Sequence, residues 1–108
     1  MKIEDNLRIA SLIDTFGSLL TSKQFSIITS YYFDNLSLSE IGDNFSISRQ
    51  AVSDSINQSI KALEGYEEKL RIIEKENLLI AKLESIKSKI VDSDLSAQIT
   101  QIIDDIRG

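Results

Sequence analysis

The chain carries sixteen serines but no histidine and no cysteine among its 108 residues, so hydroxyls are plentiful and the groups that usually activate them are missing. A serine attacks only when a neighbouring base takes its proton, and neither a Gly-x-Ser-x-Gly elbow nor a Ser-x-x-Lys pair occurs. Without cysteine and histidine there are no thiolate nucleophiles, no disulfides and none of the common zinc ligand sets. Asp92-Ser93-Asp94 opens like a calcium loop, but Ala97 stands where that loop needs glycine and Ile103 where it needs glutamate. Gly17 and Gly42 are isolated and make no phosphate loop. These absences predict a chain with no catalytic residue, no metal, no cofactor and no small-molecule substrate. The chemistry that remains is recognition by hydrogen bonds, concentrated in Ser48, Arg49, Gln50, Ser53, Asp54, Asn57, Gln58 and Lys61. Arginine grips the acceptor edge of guanine, glutamine and asparagine pair with adenine, and a short serine fits against phosphate or sugar.

Those residues act together only if a helix presents them on one face. With no proline, four glycines and apolar residues recurring at intervals of three and four, the chain reads as all-α. A first helix is expected from Asp5 or Asn6, burying Ile9, Leu12, Ile13, Phe16 and Leu19. Thr21-Ser22-Lys23-Gln24 is a capping box, in which the hydroxyl and the glutamine satisfy each other's orphan backbone donors, and a second helix with Phe25, Ile28 and Tyr32 inward should run to about Phe33. Asp34-Asn35 supplies turn chemistry. Ser37-Leu38-Ser39-Glu40 is a second box, opening a short helix whose inner face is Leu38, Ile41 and Phe45.

Ser48 caps the fourth helix, with Ile47 and Val52 as its hydrophobic staple. Its expected buried stripe is Val52, Ile56, Ile60 and Leu63, which leaves the polar residues named above outside. Ser37 to Leu63 thus has the layout of a helix-turn-helix. Gly42 sits where a small residue lets the two helices approach, and Ser46 occupies the turn position that glycine usually fills. The same layout also serves as a packing unit or a protein-binding module.

From Tyr66 to Val91 the composition shifts to Glu, Lys, Leu and Ile, a long amphipathic arm, and Asp92-Ser93-Asp94 makes a capped break before a last helix. The two are expected to pack as an antiparallel hairpin. Ile72, Leu79, Leu83, Ile86 and Ile90 on the arm and Leu95, Ile99, Ile102 and Ile106 on the last helix are the expected dimer interface, because the apolar stripe, widened by Ile73, Ile80 and Ile103, exceeds what one partner helix covers. This divides the chain into a helix-turn-helix domain, 1–65, and a helical arm or hairpin, 66–108.

Twelve basic and seventeen acidic residues give a net charge of −5, which argues against bulk attraction to nucleic acid. On the reading helix only Arg49 and Lys61 are basic, against Asp54 and Glu64. A protomer would neutralise two or three phosphates, a salt slope of about −2 to −3. Met1 to Asp5 shows no apolar signal core, and no run nears the roughly 18 apolar residues of a membrane span, so a cytoplasmic protein without membrane insertion is expected.

Leu20 to Gln24, Tyr31-Tyr32, Leu36 to Ile41, Ile47 to Val52 and Tyr66 to Leu70 together resemble the bacterial YlxM family, whose fold is similar to region 4 of sigma factors. The resemblance covers roughly residues 7 to 72. It implies a small helical DNA-binding or regulatory accessory protein, linked to the signal recognition particle pathway through genes for its GTPase and receptor. The implied partners are DNA, or the particle's RNA or GTPase; the homodimer is expected from the apolar stripe between Ile72 and Ile106. Arg49, Gln50, Asp54 and Asn57 fall on motif positions and would inherit any recognition role. Ser46 replaces the usual turn glycine, Ser53 a usual tyrosine, and Gln58 and Ser59 a basic pair near the helix end. The alternative function is a sequence-specific transcriptional regulator, a dimer whose fourth helices enter successive major grooves about 34 Å apart.

Overall fold

A computed structural model describes residues 3–108, with side chains from Asn6 onward. The described residues are helical apart from short connections: α1 Ile3–Phe16, a single 3-10 turn Gly17–Leu19, α2 Ser22–Tyr32, α3 Leu38–Phe45, α4 Arg49–Leu70, α5 Ile72–Lys87 and α6 Ser93–Arg107. The chain divides into two compact units between Arg71 and Ile72. The 65/66 boundary falls inside α4, which continues to Leu70 before Arg71 takes a left-handed conformation at φ 51°.

In the first unit, α1, α2 and α3 pack against α4. Ile9, Leu12, Ile13 and Phe16 are buried as their spacing requires, and Leu63 of α4 and Ile28 of α2 are wholly buried. The Phe16 and Tyr66 rings lie 6.0 Å apart. Leu19 departs from expectation and is 55% exposed, because α1 ends at Phe16 and the tighter 3-10 turn rotates the following residues off the α-helical stripe. On α2 the inward pair is Ile27 and Ile28, while Phe25 is 40% exposed and Tyr32 half-buried. That helix meets α1, α3 and α4 and so buries a wider arc than one stripe.

Beneath the helix-turn-helix, Ile27, Ile41, Val52 and Ile56 form a closed cluster with Leu38, Phe45, Ile47 and Ile60 packed around it. Both capping boxes are made: Thr21 with Gln24, and Ser37 with Glu40. On α4 the fully buried positions are 52, 56, 59 and 63, so Ser59 takes the inner position expected of Ile60, which is half-buried. The Ser59 hydroxyl has no hydrogen-bond partner.

In the second unit, residues 88–92 connect α5 to α6, and Asp92 caps α6 by accepting from the Asp94 and Leu95 backbone N–H groups. That role accounts for the aspartate-rich string without a metal. The inner positions are 80, 83, 87 and 90 on the α5 side and 96, 99, 103 and 106 on α6, the mirror-image order of an antiparallel pair folded about its connection. Ile103 alone is fully buried among the described residues of this unit. Among the described residues no helix is long and apolar enough to cross a membrane.

Candidate nucleic-acid interface

The turn between α3 and α4 is set by two residues. Ser46 adopts φ 57°, ψ 41°, the left-handed conformation that ends α3, and its N–H returns to the Gly42 and Asp43 carbonyls. A Cβ on Gly42 would stand 2.7 Å from the Ile47 carbonyl oxygen, so only glycine lets the chain fold back this closely. Ile47 then donates its N–H to the Gly42 carbonyl at 3.0 Å, and the Ser48 hydroxyl accepts from the Ala51 N–H at 3.0 Å to begin α4.

Residues 50, 54, 57 and 61 repeat the four-three-four spacing of 52, 56, 59 and 63, displaced by two residues. At 100° per residue that displacement puts them on the side of α4 opposite the core. Arg49, Gln50, Asp54, Asn57, Gln58 and Lys61 are exposed, and Ser53 is half-buried at the edge of the face. Ser48 is exposed at the helix start and already engaged as its cap. Gln50, Asp54, Asn57 and Lys61 thus share the outer face, with Gln58 on one flank and Ser53 and Arg49, exposed in the first turn, on the other. The Gln50 amide donates to Asp54 Oδ1 at 2.9 Å, which orients both side chains and leaves the second amide N–H, the Gln50 Oε1 and the Asp54 Oδ2 to meet a base.

Its electrostatics are weak. Arg49 and Lys61 are the cations, Asp54 sits between them, and the exposed Glu40 and Asp43 of α3 add negative charge beside the turn. Glu40 is partly spent on its capping box, accepting from the Ser37 N–H at 3.2 Å. Arg8 holds Glu64 at 2.7 Å on a half-exposed pair, removing that carboxylate from the balance near the end of the face. Among the described residues no three acidic side chains come together as a metal site.

An open cleft of about 300 Å³ lined by Asn6, Tyr31, Tyr32, Asn35 and Leu36 went unseen in the sequence. Its one signal is Asn35, a turn asparagine that here takes φ 55° after the edge-to-face Tyr31-Tyr32 pair. In the second unit, the expected dimer residues divide in two. Leu83, Ile90, Ile99 and Ile106 are half-buried within the hairpin and Ile72 is half-buried at the start of α5, whereas Leu79, Ile86, Leu95 and Ile102 are each about half exposed.

Residues 3–106 match the sequence model of a family described as "UPF0122: Putative helix-turn-helix protein, YlxM / p13 like". A UPF0122 protein of Malacoplasma penetrans is 42% identical over 103 residues, covering 94% of this chain and 96% of that protein. One from Pediococcus pentosaceus is 43% identical over 90 residues, 83% of this chain and 80% of that protein, and one from Shouchella clausii 38% over 104, 96% and 95%. These matches span both units, the hairpin as well as the helix-turn-helix.

Proposed function

We propose, for a chain that belongs to the UPF0122 family of YlxM/p13-like helix-turn-helix proteins, a non-enzymatic regulatory role in which the outer face of α4 engages nucleic acid. The observation that supports this reading is the presentation of Gln50, Asp54, Asn57 and Lys61 on one exposed face, with Arg49 exposed at its head, held outward by the Gly42–Ser46 turn and the Ser48 cap. In the major groove Arg49 meets guanine, Gln50 or Asn57 meets adenine, and Asp54 accepts from the amino group of cytosine through its second carboxylate oxygen. Lys61 lies three turns along the helix and reaches the phosphate backbone.

The sparse positive charge favours an accessory protein over a free-standing repressor. With two cations on the face, sequence-independent attraction is feeble, and affinity must come from a small number of specific contacts or from a protein partner. The context that the resemblance implies, a cytoplasmic accessory of the signal recognition particle pathway, fits such modest binding. The test is a pair of titrations of the full chain, one with fragmented genomic duplex and one with signal recognition particle RNA. Saturable binding to either polymer that falls with salt supports the reading, and binding to the RNA alone favours the particle. Binding to neither, even at tens of micromolar protein in low salt, would sink it and leave the helix-turn-helix as a scaffold for protein contacts.

A further inference from the structure

The second unit leaves much apolar surface uncovered for so small a piece of chain. Leu79 is 48% exposed, Ile86 52%, Leu95 50% and Ile102 47%, while Ile103 is its single fully buried residue. These four side chains form one strip. Leu79 and Ile86 each precede an inward position of α5, Ile80 and Lys87, by one residue, and Leu95 and Ile102 likewise precede Ser96 and Ile103 on α6. In an antiparallel pair, the same sense of rotation away from the inner face leads to the same side of the hairpin on both helices. The ion pair fixes which side is which: Glu84 follows Leu83, Arg107 follows Ile106, and the two meet at 3.0 Å. The residues that precede the inner positions therefore share the other side.

We infer that this strip is covered by the same strip of a second copy, the two hairpins stacking about a two-fold axis as an antiparallel four-helix bundle, with α5 of each copy over α6 of its partner. Two observations select that occupant. The first is charge. Residues 72–91 carry a net +1 and 92–108 a net −3, and along the outer flank of the strip α5 presents Lys75 and Lys82 while α6 presents Asp94 and Asp105. Stacking α5 on the partner's α6 sets Lys82 opposite Asp105 on both edges, whereas α6 on α6 would set aspartate against aspartate. The second is area. Four half-exposed aliphatic side chains leave on the order of 300 Å² of apolar surface per copy. Two copies would then supply about half of a 1,200 Å² interface, close to the apolar share of specific contacts. This inference goes beyond the nucleic-acid reading and does not rest on it.

The test is sedimentation equilibrium of the full chain from 1 to 100 µM, with Ile102→Glu and the charge pair Lys82→Glu and Asp105→Lys. The expected result is a species of twice 12.1 kDa. Ile102→Glu should shift it at least tenfold toward monomer with an unchanged helical circular dichroism spectrum, Lys82→Glu should weaken it, and adding Asp105→Lys should restore it. The absence of native cysteine allows a second check: mixed copies bearing Ile86→Cys and Ile102→Cys should form the mixed disulfide faster than either homodisulfide. A chain that stays monomeric at 100 µM would overturn the inference, pointing to a different protein on the strip or to none. A dimer indifferent to Ile102→Glu, and to the charge pair, would overturn it equally.

Discussion

Single side chains decide whether the recognition helix is presented at all, and two of them make sharp predictions. Gly42→Ala places a methyl 2.7 Å from the Ile47 carbonyl, a contact that only backbone movement relieves. Overpacking of that kind costs about 1–3 kcal/mol, against a gain of about 1 kcal/mol from better helix propensity. The expected outcome is a net loss of stability in urea denaturation, and an equal or higher midpoint would mean that the turn is looser than described. Ser59 is the opposite case. Its hydroxyl is buried and unpartnered, so Ser59→Ala removes a desolvated polar group with little loss of volume and should stabilise the protein by about 1 kcal/mol, or several degrees in melting temperature. A lower melting temperature would show that the hydroxyl has a bonding partner in solution. The sequence told where α4 is apolar, but a serine at an inner position is invisible to a hydrophobic pattern.

Elements were legible where local chemistry marks their ends and less so where packing alone sets them. Thr21, Ser37, Ser48 and Asp92 each announced a helix start through a side chain that satisfies orphan N–H groups, and all four caps are made. The end of α4 carried no such mark. Arg71 breaks the helix in a left-handed conformation without glycine or proline, so the shift of composition at Tyr66 marks the arm in the sequence, five residues before the helix ends at Leu70. Leu19 and Phe25 were assigned to the core because periodicity gives the direction of a face and not its width, which depends on how many neighbours an element has. The turn of the helix-turn-helix offers a test at this scale. Ser46 tolerates φ 57° at a conformational cost that glycine avoids, so Ser46→Gly should stabilise the first unit by about 0.5–1 kcal/mol while leaving the α4 face unchanged. Destabilisation on that substitution would mean that the serine side chain holds the turn in some further way.

For the whole molecule the governing quantity is charge, −5 on 108 residues, which sets how tightly a recognition face this small can hold a polyanion. The exposure of Gln50, Asp54, Asn57 and Lys61 is legible in the sequence, because a displacement of two from the buried stripe follows from helical geometry alone. What the sequence could not give was the Gln50–Asp54 hydrogen bond, which ties two of the readers together before any ligand arrives. The charge of that pair is tested separately from the bond: Asp54→Asn keeps an acceptor for the Gln50 amide but removes a negative charge from the face, and is expected to strengthen sequence-independent duplex binding at low salt while relaxing any preference for cytosine. Unchanged affinity in that variant would place the contact surface elsewhere on the molecule.

The most direct measurement is fluorescence anisotropy of duplex DNA titrated with the native chain and with Arg49→Ala between low and moderate salt. If the α4 face reads nucleic acid, native binding is saturable with a salt slope of about −2 to −3 per protomer, and the variant loses about 1–3 kcal/mol of specific binding, tenfold or more over most of that range. Equal binding by the two proteins at every salt concentration would contradict the account, since the exposed guanidinium at the head of α4 would then play no part in recognition.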